Sequence, residues 1–247
     1  MNVLIVLAHP EPRSFNGALR DVAADTLRAG SHQIDISDLY AMQFKAVADS
    51  DDFFERADPD YLRIDREQTA CHETGTTAAD IRAEQDKVAW ADLVILQFPM
   101  WWFGPPAILK GWFDRVFTRG FGYLPGRKYD TGLMTGKLAL VSVTTGTSAD
   151  TYASDGIDGA ILDVLWPIHN GLLRYTGFDV LEPNIVHMPG RLSDADRLDA
   201  LDSYASRLRN LSGQRRLFFH PKADYGADER LLPEVIPSSG FQHRPSR

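Results

Sequence analysis

One cysteine, Cys71, stands in 247 residues, so neither an internal disulfide nor a cysteine-built metal centre is available. No apolar run approaches the ~20 residues that a membrane-spanning helix requires. Basic residues are in the minority: 26 Lys and Arg against 34 Asp and Glu give a net charge of −8. That balance argues against a general nucleic-acid binder, though not against a small phosphate-bearing ligand, which needs only local donors. The N-terminus lacks a basic region and a small-residue cleavage site, and Asn2-Val3-Leu4-Ile5-Val6-Leu7 reads as a first strand. A cytoplasmic protein is the expectation. Internal repeats and low-complexity segments are missing, as are the G-x-G-x-x-G fingerprint and the lysine-bearing phosphate loop. Asp155, Asp158 and Asp163 lack the spacing of a closed metal site, and a solvated acidic face accounts for them better. Cys71 has no evident His or Asn partner for a nucleophile.

What is present has the proportions of an ordinary globular chain, 44% hydrophobic and 24% charged. Apolar runs at Val3 to Ala8, His32 to Leu39, Leu93 to Pro99, Lys137 to Thr145 and Phe178 to His187 are short enough for buried strands. Helical patterns separate them: Asn16 to about Ala29, Ala79 to Ala91, Pro105 to Phe117, about Ala160 to His169 and on to Tyr175, and Asp194 to Leu211 with Ser193 as N-cap. Residues 43 to 78 show little periodicity, which predicts a long segment that is either functional or mobile. This alternation predicts a doubly wound, five-stranded parallel sheet, and the flavodoxin-like order 2-1-3-4-5 fits it. Residues 1–212 form that domain. Residues 213–247, with Phe218, Phe219, His220 and Tyr225, form a C-terminal extension packed on the same domain or on a partner subunit.

The fold puts its ligand outside the carboxyl ends of strands one, three and four. Three informative loops follow those strands. After the first come His9, Arg13, Ser14, Phe15 and Asn16 at a helix start, whose free N–H groups suit an anion; simple capping by Ser14 or Asn16 explains the same residues in most proteins. After the third come Trp101, Trp102, Phe103 and Gly104, a stacking surface with backbone donors from Trp102, Phe103 and Gly104. A core or oligomer interface fits these aromatics about as well as a pocket does. After the fourth come Thr144, Thr145, Gly146 and Thr147, with Tyr152 as a further donor or as a half-buried helix-start residue. Jointly the loops offer faces and donors for a flat heterocycle such as isoalloxazine, whose edge becomes negative when it accepts a hydride. His169 and His187, in apolar surroundings, read as core or surface histidines.

The chain resembles the DT-diaphorase family, the NAD(P)H:quinone oxidoreductases of the flavodoxin-like superfamily. The matching residues are Leu4-Ile5-Val6-Leu7-Ala8-His9 with Ser14-Phe15-Asn16; Asp38-Leu39-Tyr40-Ala41-Met42; Gln97-Phe98-Pro99, Trp102-Phe103-Gly104 and Pro106 to Phe113; Thr144-Thr145-Gly146 with Tyr152; Leu165-Trp166-Pro167-Ile168; and Gly177-Phe178 with Leu181-Glu182-Pro183. The resemblance runs from about residue 2 to 220. It implies an FAD-containing homodimer with its active sites at the subunit interface, NAD(P)H as co-substrate, and a ping-pong two-electron reduction of quinones. It places His9, Ser14, Phe15 and Asn16 at the FAD phosphates. Met100, Trp101, Trp102 and Phe103 line the isoalloxazine, and Thr144, Thr145, Gly146 and Tyr152 lie at its polar edge, with Tyr152 and Gly146 taking part in catalysis. Trp102, Phe103, Tyr123, Tyr129 and Tyr175 reach the nicotinamide and quinone pocket, some from the partner subunit. Two positions depart from the pattern. Asp158 stands where animal members carry a histidine paired with the tyrosine, and Pro125 stands where they carry a pocket tyrosine. The alternatives are a regulatory flavoprotein subunit, as in potassium-efflux systems, a one-electron flavodoxin carrier, and an FMN-dependent reductase of azo or nitro compounds.

Overall fold

The computed structural model describes residues 1–238. Strand β1 (Asn2–Leu7) lies between β2 (Gln33–Asp38) and β3 (Leu93–Pro99), and β4 (Leu138–Thr145) follows β3, all in parallel register. Alternation within each strand divides the interior in two. Leu4, Val6, Leu96, Phe98, Val141 and Val143 pack on one face with Val88 of α3 (Ala79–Trp90) and Trp112 of α4 (Ala107–Val116). Val3, Ile5, Leu93, Ile95 and Leu140 pack on the other with Leu19 and Leu27 of α1 (Phe15–Ala29) and Tyr204 and Leu208 of α7 (Asp194–Arg209). Both faces are dry, which is why the strands read as continuous apolar runs. Ser193 caps α7 in a capping box with Asp196, as its position predicts.

Three expected elements differ. The fifth strand is two pieces, β5 (Asp179–Val180) and β6 (Asn184–His187), both paired with β4. Ala139 pairs with Val180 but Ser142 with Asn184, so one extra residue is inserted between the pieces. Pro183, which has no N–H for the ladder, sits in the interruption. The segment 43 to 78 is neither irregular throughout nor loose: it contains α2 (Ile64–Thr74). That helix buries Glu67, Gln68 and Cys71, so its inward face carries polar residues and leaves no apolar period to read. Glu67 accepts from the N–H groups of Ala57 and Asp58 at 2.7 and 3.1 Å. Finally, the helix expected over 160–175 is broken into α5 (Ile161–Val164), α6 (Trp166–Ile168) and a π-helical turn at His169–Arg174.

Residues 45–52 are pinned beneath α4 by a buried ion cluster. Arg115 donates to Asp52 through Nε and Nη2 at 3.1 and 2.8 Å, to Asp80 at 2.7 Å and to the Lys45 carbonyl at 3.0 Å. Gly111 makes the approach possible, since a Cβ there would lie 2.0 Å from the Ala46 carbonyl oxygen. The extension continues the sheet: Glu182 donates to the Arg215 carbonyl at 3.0 Å and Leu217 to the Val180 carbonyl at 2.8 Å, covering the edge that β5 exposes. The part of the extension beyond residue 238 lies outside the described residues. Among the described residues no helix is long and apolar enough to cross a membrane.

Candidate active site

The three loops named from the sequence meet at the carboxyl edge of the sheet. The first is closed by local bonds. Ser14 Oγ caps α1, accepting from Gly17 N–H at 3.1 Å. Gly17 lies so close to Pro12 that a Cβ would sit 2.0 Å from its carbonyl oxygen. The N–H groups of Phe15 and Asn16, in the first turn, have no intrahelical acceptor. His9 Nδ1 lies 3.0 Å from the Glu11 N–H and 3.1 Å from the Glu11 carbonyl oxygen, and its Nε2 has no partner among the described residues. The Asn16 side chain is committed inward: it donates to Thr144 Oγ1 at 2.9 Å and accepts from Gln97 Nε2 at 2.8 Å. That buried clamp ties loop one to strands β3 and β4, and it commits the Asn16 side chain inward while its backbone N–H has no intrahelical acceptor.

The second loop is a two-residue turn. Trp101 donates to the Gly104 carbonyl at 2.9 Å and Gly104 returns the bond at 3.0 Å. The expectation that Gly104 offers its N–H to a ligand is therefore corrected, because that donor closes the turn. Trp102 and Phe103 between them have φ of 50° and 59°. Such turns favour Asn and Gly, and a left-handed backbone costs a side-chain-bearing residue ~1–2 kcal/mol. Here two bulky aromatics occupy it, with Trp102 98% and Phe103 52% exposed. Their backbone N–H groups have no partner among the described residues. Strain of this kind persists where the surroundings impose it, and it gathers at ligand sites.

The third loop rises from β4. Thr145 Oγ1 donates to the Thr147 carbonyl at 2.8 Å. It is also 2.8 Å from His187 Nδ1, and both bonds form together when the imidazole is the donor to Thr145. A Cβ on Gly146 would meet nothing within 4 Å, so the space in front of it is open. The N–H groups of Gly146 and Thr147 have no partner among the described residues. Tyr152, buried in a short 3₁₀ turn, touches Phe103 edge to face with ring centres 6.5 Å apart and lies against His187 at 5.9 Å. Burial pushes His187 below the ordinary imidazole value, partly opposed by the Thr147 carbonyl. Asp158 accepts from the Thr147 hydroxyl at 3.1 Å and its N–H donates to the Thr151 carbonyl at 2.9 Å. Both bonds tie it to the loop.

Tyr123, Tyr129 and Tyr175 form a separate cluster, with ring centres 6.4 Å apart for Tyr123–Tyr175 and 5.5 Å for Tyr129–Tyr175. Among the described residues none of them makes a ring contact with Trp102, Phe103 or Tyr152. Tyr123 and Tyr175 line an open cleft beside Gln68, Phe113 and Phe117. Tyr129 lines a cavity of about 170 Å³ with Lys128, Arg174, Phe219 and Tyr225. Burial raises the Tyr123 phenol above its usual value.

The residues fit a flavin ring on one structural test. Four backbone donors have no partner among the described residues, two in the aromatic turn after β3 and two in the loop after β4, and the carboxylate bonded to that second loop is Asp158, engaged by Thr147. Such a set suits a planar group whose edge gains negative charge. Among the described residues no cluster of His, Cys, Asp and Glu has the makings of a metal site. His187 is the residue that reading the sequence passed over. It sits opposite Thr145 in the ladder, 42 positions away along the chain, and only strand pairing brings the two together.

Comparison with known proteins agrees with this geometry. A family model described as flavodoxin-like fold matches residues 1–211. The chain is 44% identical over 211 residues to ribosyldihydronicotinamide dehydrogenase [quinone] of Pongo abelii, covering 85% of this chain and 91% of that one. It is 41% identical over 221 residues to NAD(P)H dehydrogenase [quinone] 1 of Rattus norvegicus, covering 89% and 81%. A crystal structure of a candidate quinone reductase from Klebsiella pneumoniae superposes with a TM-score of 0.92 at 40% identity over 97% of each chain.

Proposed function

The chain belongs to the flavodoxin-like fold family, and from that premise we propose that it is an oxidoreductase that reduces quinones by two electrons, with NAD(P)H as donor and FAD as the bound flavin. The observation that carries this reading is the Trp102-Phe103 turn: two aromatics held at positive φ, exposed, with free N–H groups beside Gly146 and Tyr152. A flavin held there would supply two-electron hydride chemistry between the nicotinamide donor and the quinone.

The chain's residues do the rest. Trp101, Trp102 and Phe103, with Met100, supply the stacking face. The N–H groups of Trp102, Phe103, Gly146 and Thr147 are preorganised donors toward developing negative charge, so no reorganisation is needed when the charge arrives. Thr144 is held by Asn16 and Thr145 by His187, which fixes the floor of the site. His9 Nε2 and the first-turn N–H groups of Phe15 and Asn16, below Ser14, are the donors for the phosphates. Among the described residues the tyrosine cluster makes no ring contact with this face; in the homodimer we propose, Tyr123, Tyr129 and Tyr175 of one copy close the pocket of the other. A cytoplasmic enzyme accords with the single buried cysteine.

The test is direct. The purified protein is denatured and the released cofactor identified by absorbance and mass, then the holoprotein is mixed with NADPH or NADH and a benzoquinone. Bound FAD with turnover is the expected result. A protein that retains no flavin when it is supplied overturns the reading, and FMN in place of FAD corrects the cofactor. Sedimentation distinguishes dimer from monomer.

A further inference from the structure

We propose that His187 carries the solvent proton that the two-electron reduction consumes, and that it is held for this purpose by Thr145 and Tyr152. The proposal rests on the quinone-reductase reading above. A hydride brings two electrons and one proton, whereas a quinone leaves as a hydroquinone with two electrons and two protons. One proton must therefore come from water through the protein. In the proposed step a solvent hydronium ion gives its proton to His187 Nε2 as negative charge arrives at the site: an O–H bond breaks, an N–H bond forms and water is left. The same bond breaks when the acceptor takes its second proton, and the imidazole returns to neutral.

Geometry selects this residue. Both bonds of Thr145 Oγ1, to the Thr147 carbonyl at 2.8 Å and to His187 Nδ1 at 2.8 Å, form together when Nδ1 carries the ring hydrogen, and that is the tautomer in which the neutral ring presents an unprotonated Nε2. Its plane lies 32° from that of Tyr152, with ring centres 5.9 Å apart, so the phenol and the imidazole are neighbours. The groups that meet the ring are Thr145 from β4, the Thr147 carbonyl, and Tyr152 from the 3₁₀ turn. Phe103 lies on Tyr152 from the aromatic turn. The carboxylate linked to this group is Asp158, reached through the hydroxyl of Thr147. The ring bonds no charged side chain among the described residues, so a new negative charge nearby is free to set its protonation.

His187→Phe keeps a ring against Tyr152 and removes both nitrogens. His187→Asn keeps a donor toward Thr145 and cannot carry the proton. Midpoint potentials of the bound flavin, measured against pH, count the protons taken up per two electrons, and nitrogen-15 spectra of the imidazole follow His187 itself. The wild type should take up one more proton than either variant around neutral pH, with the His187 transition moving upward on reduction. In both variants the quinone-reducing half-reaction should slow by about 10²-fold. Restoration by His187→Asn would show a purely structural role and overturn the proposal. So would wild-type proton counts in both variants, or a His187 transition that ignores the redox state. A wild type that holds no flavin fails earlier, at the functional reading itself, and takes the proposal with it.

Discussion

Two tryptophans ten residues apart meet opposite fates. Trp112, on α4, is fully buried, donates its Nε1–H to Glu84 at 2.8 Å and packs edge to face on Phe113 and Phe117. Trp102, in the turn, is almost wholly exposed, sits at positive φ and bonds nothing. Each region has a histidine to match. His169, in the π-helical turn, is sealed in with no partner for Nε2. His187, at the rim, bonds Thr145 through Nδ1 and has an open second nitrogen. The interior set is dry, and its rings contribute stability. The rim set carries backbone strain and donors without a partner among the described residues. Aromatic content therefore says little about role; backbone conformation and partner count decide it.

The difference can be broken at its strongest point first. Trp112→Ala removes a fully buried ring and orphans Glu84, and should cost about 3–5 kcal/mol or more in denaturant unfolding. A loss under about 1 kcal/mol would mean the interior set is not what holds α4. Next comes pH. Burial lowers His169 to about 3, against about 6.5 in the unfolded chain. Between those values the unfolded state binds the extra proton, so stability is complete above about 6.5 and falls as pH drops, by about 1.4 kcal/mol per unit until the folded pKa is reached. His169→Gln should flatten that slope in urea titrations, and an unaltered slope would contradict the sealed environment.

The rim should answer with opposite signs. Trp102→Gly relieves the left-handed strain and should raise unfolding free energy by about 1 kcal/mol, while flavin retention and turnover fall together because stacking area is lost. Parallel loss of both properties would place Trp102 in the fold instead of the site. The smallest effect is expected at Asp158, whose bond to Thr147 is exposed. Asp158→Asn should change stability by about 1 kcal/mol or less and leave quinone turnover in place, and abolished turnover would give the aspartate a chemical role.

Much of the site was legible from local pattern. Apolar runs located the strands, the Ser14 and Ser193 caps marked helix starts, and the topological rule directed attention to the loops after strands one, three and four. Elements whose buried faces are polar escaped that logic. Glu67 and Gln68 gave α2 no apolar stripe, and Arg115 and Asp52 turned a charged, aperiodic segment into a pinned one. His187 escaped for another reason: its partners, Thr145 and Tyr152, lie 42 and 35 positions away.

The chain's order of residues determined by itself the parallel sheet, its two dry faces and the residue types gathered at its carboxyl edge, because hydrophobic period and capping act over a few neighbours. Tertiary structure alone decided which of those residues are spent and which are offered. It committed Asn16 and Gly104 to internal bonds, forced Trp102 and Phe103 through the left-handed region, and set His187 beside Tyr152. Those outcomes depend on contacts between strands distant in sequence, where the bonds one group has made limit what the next can offer.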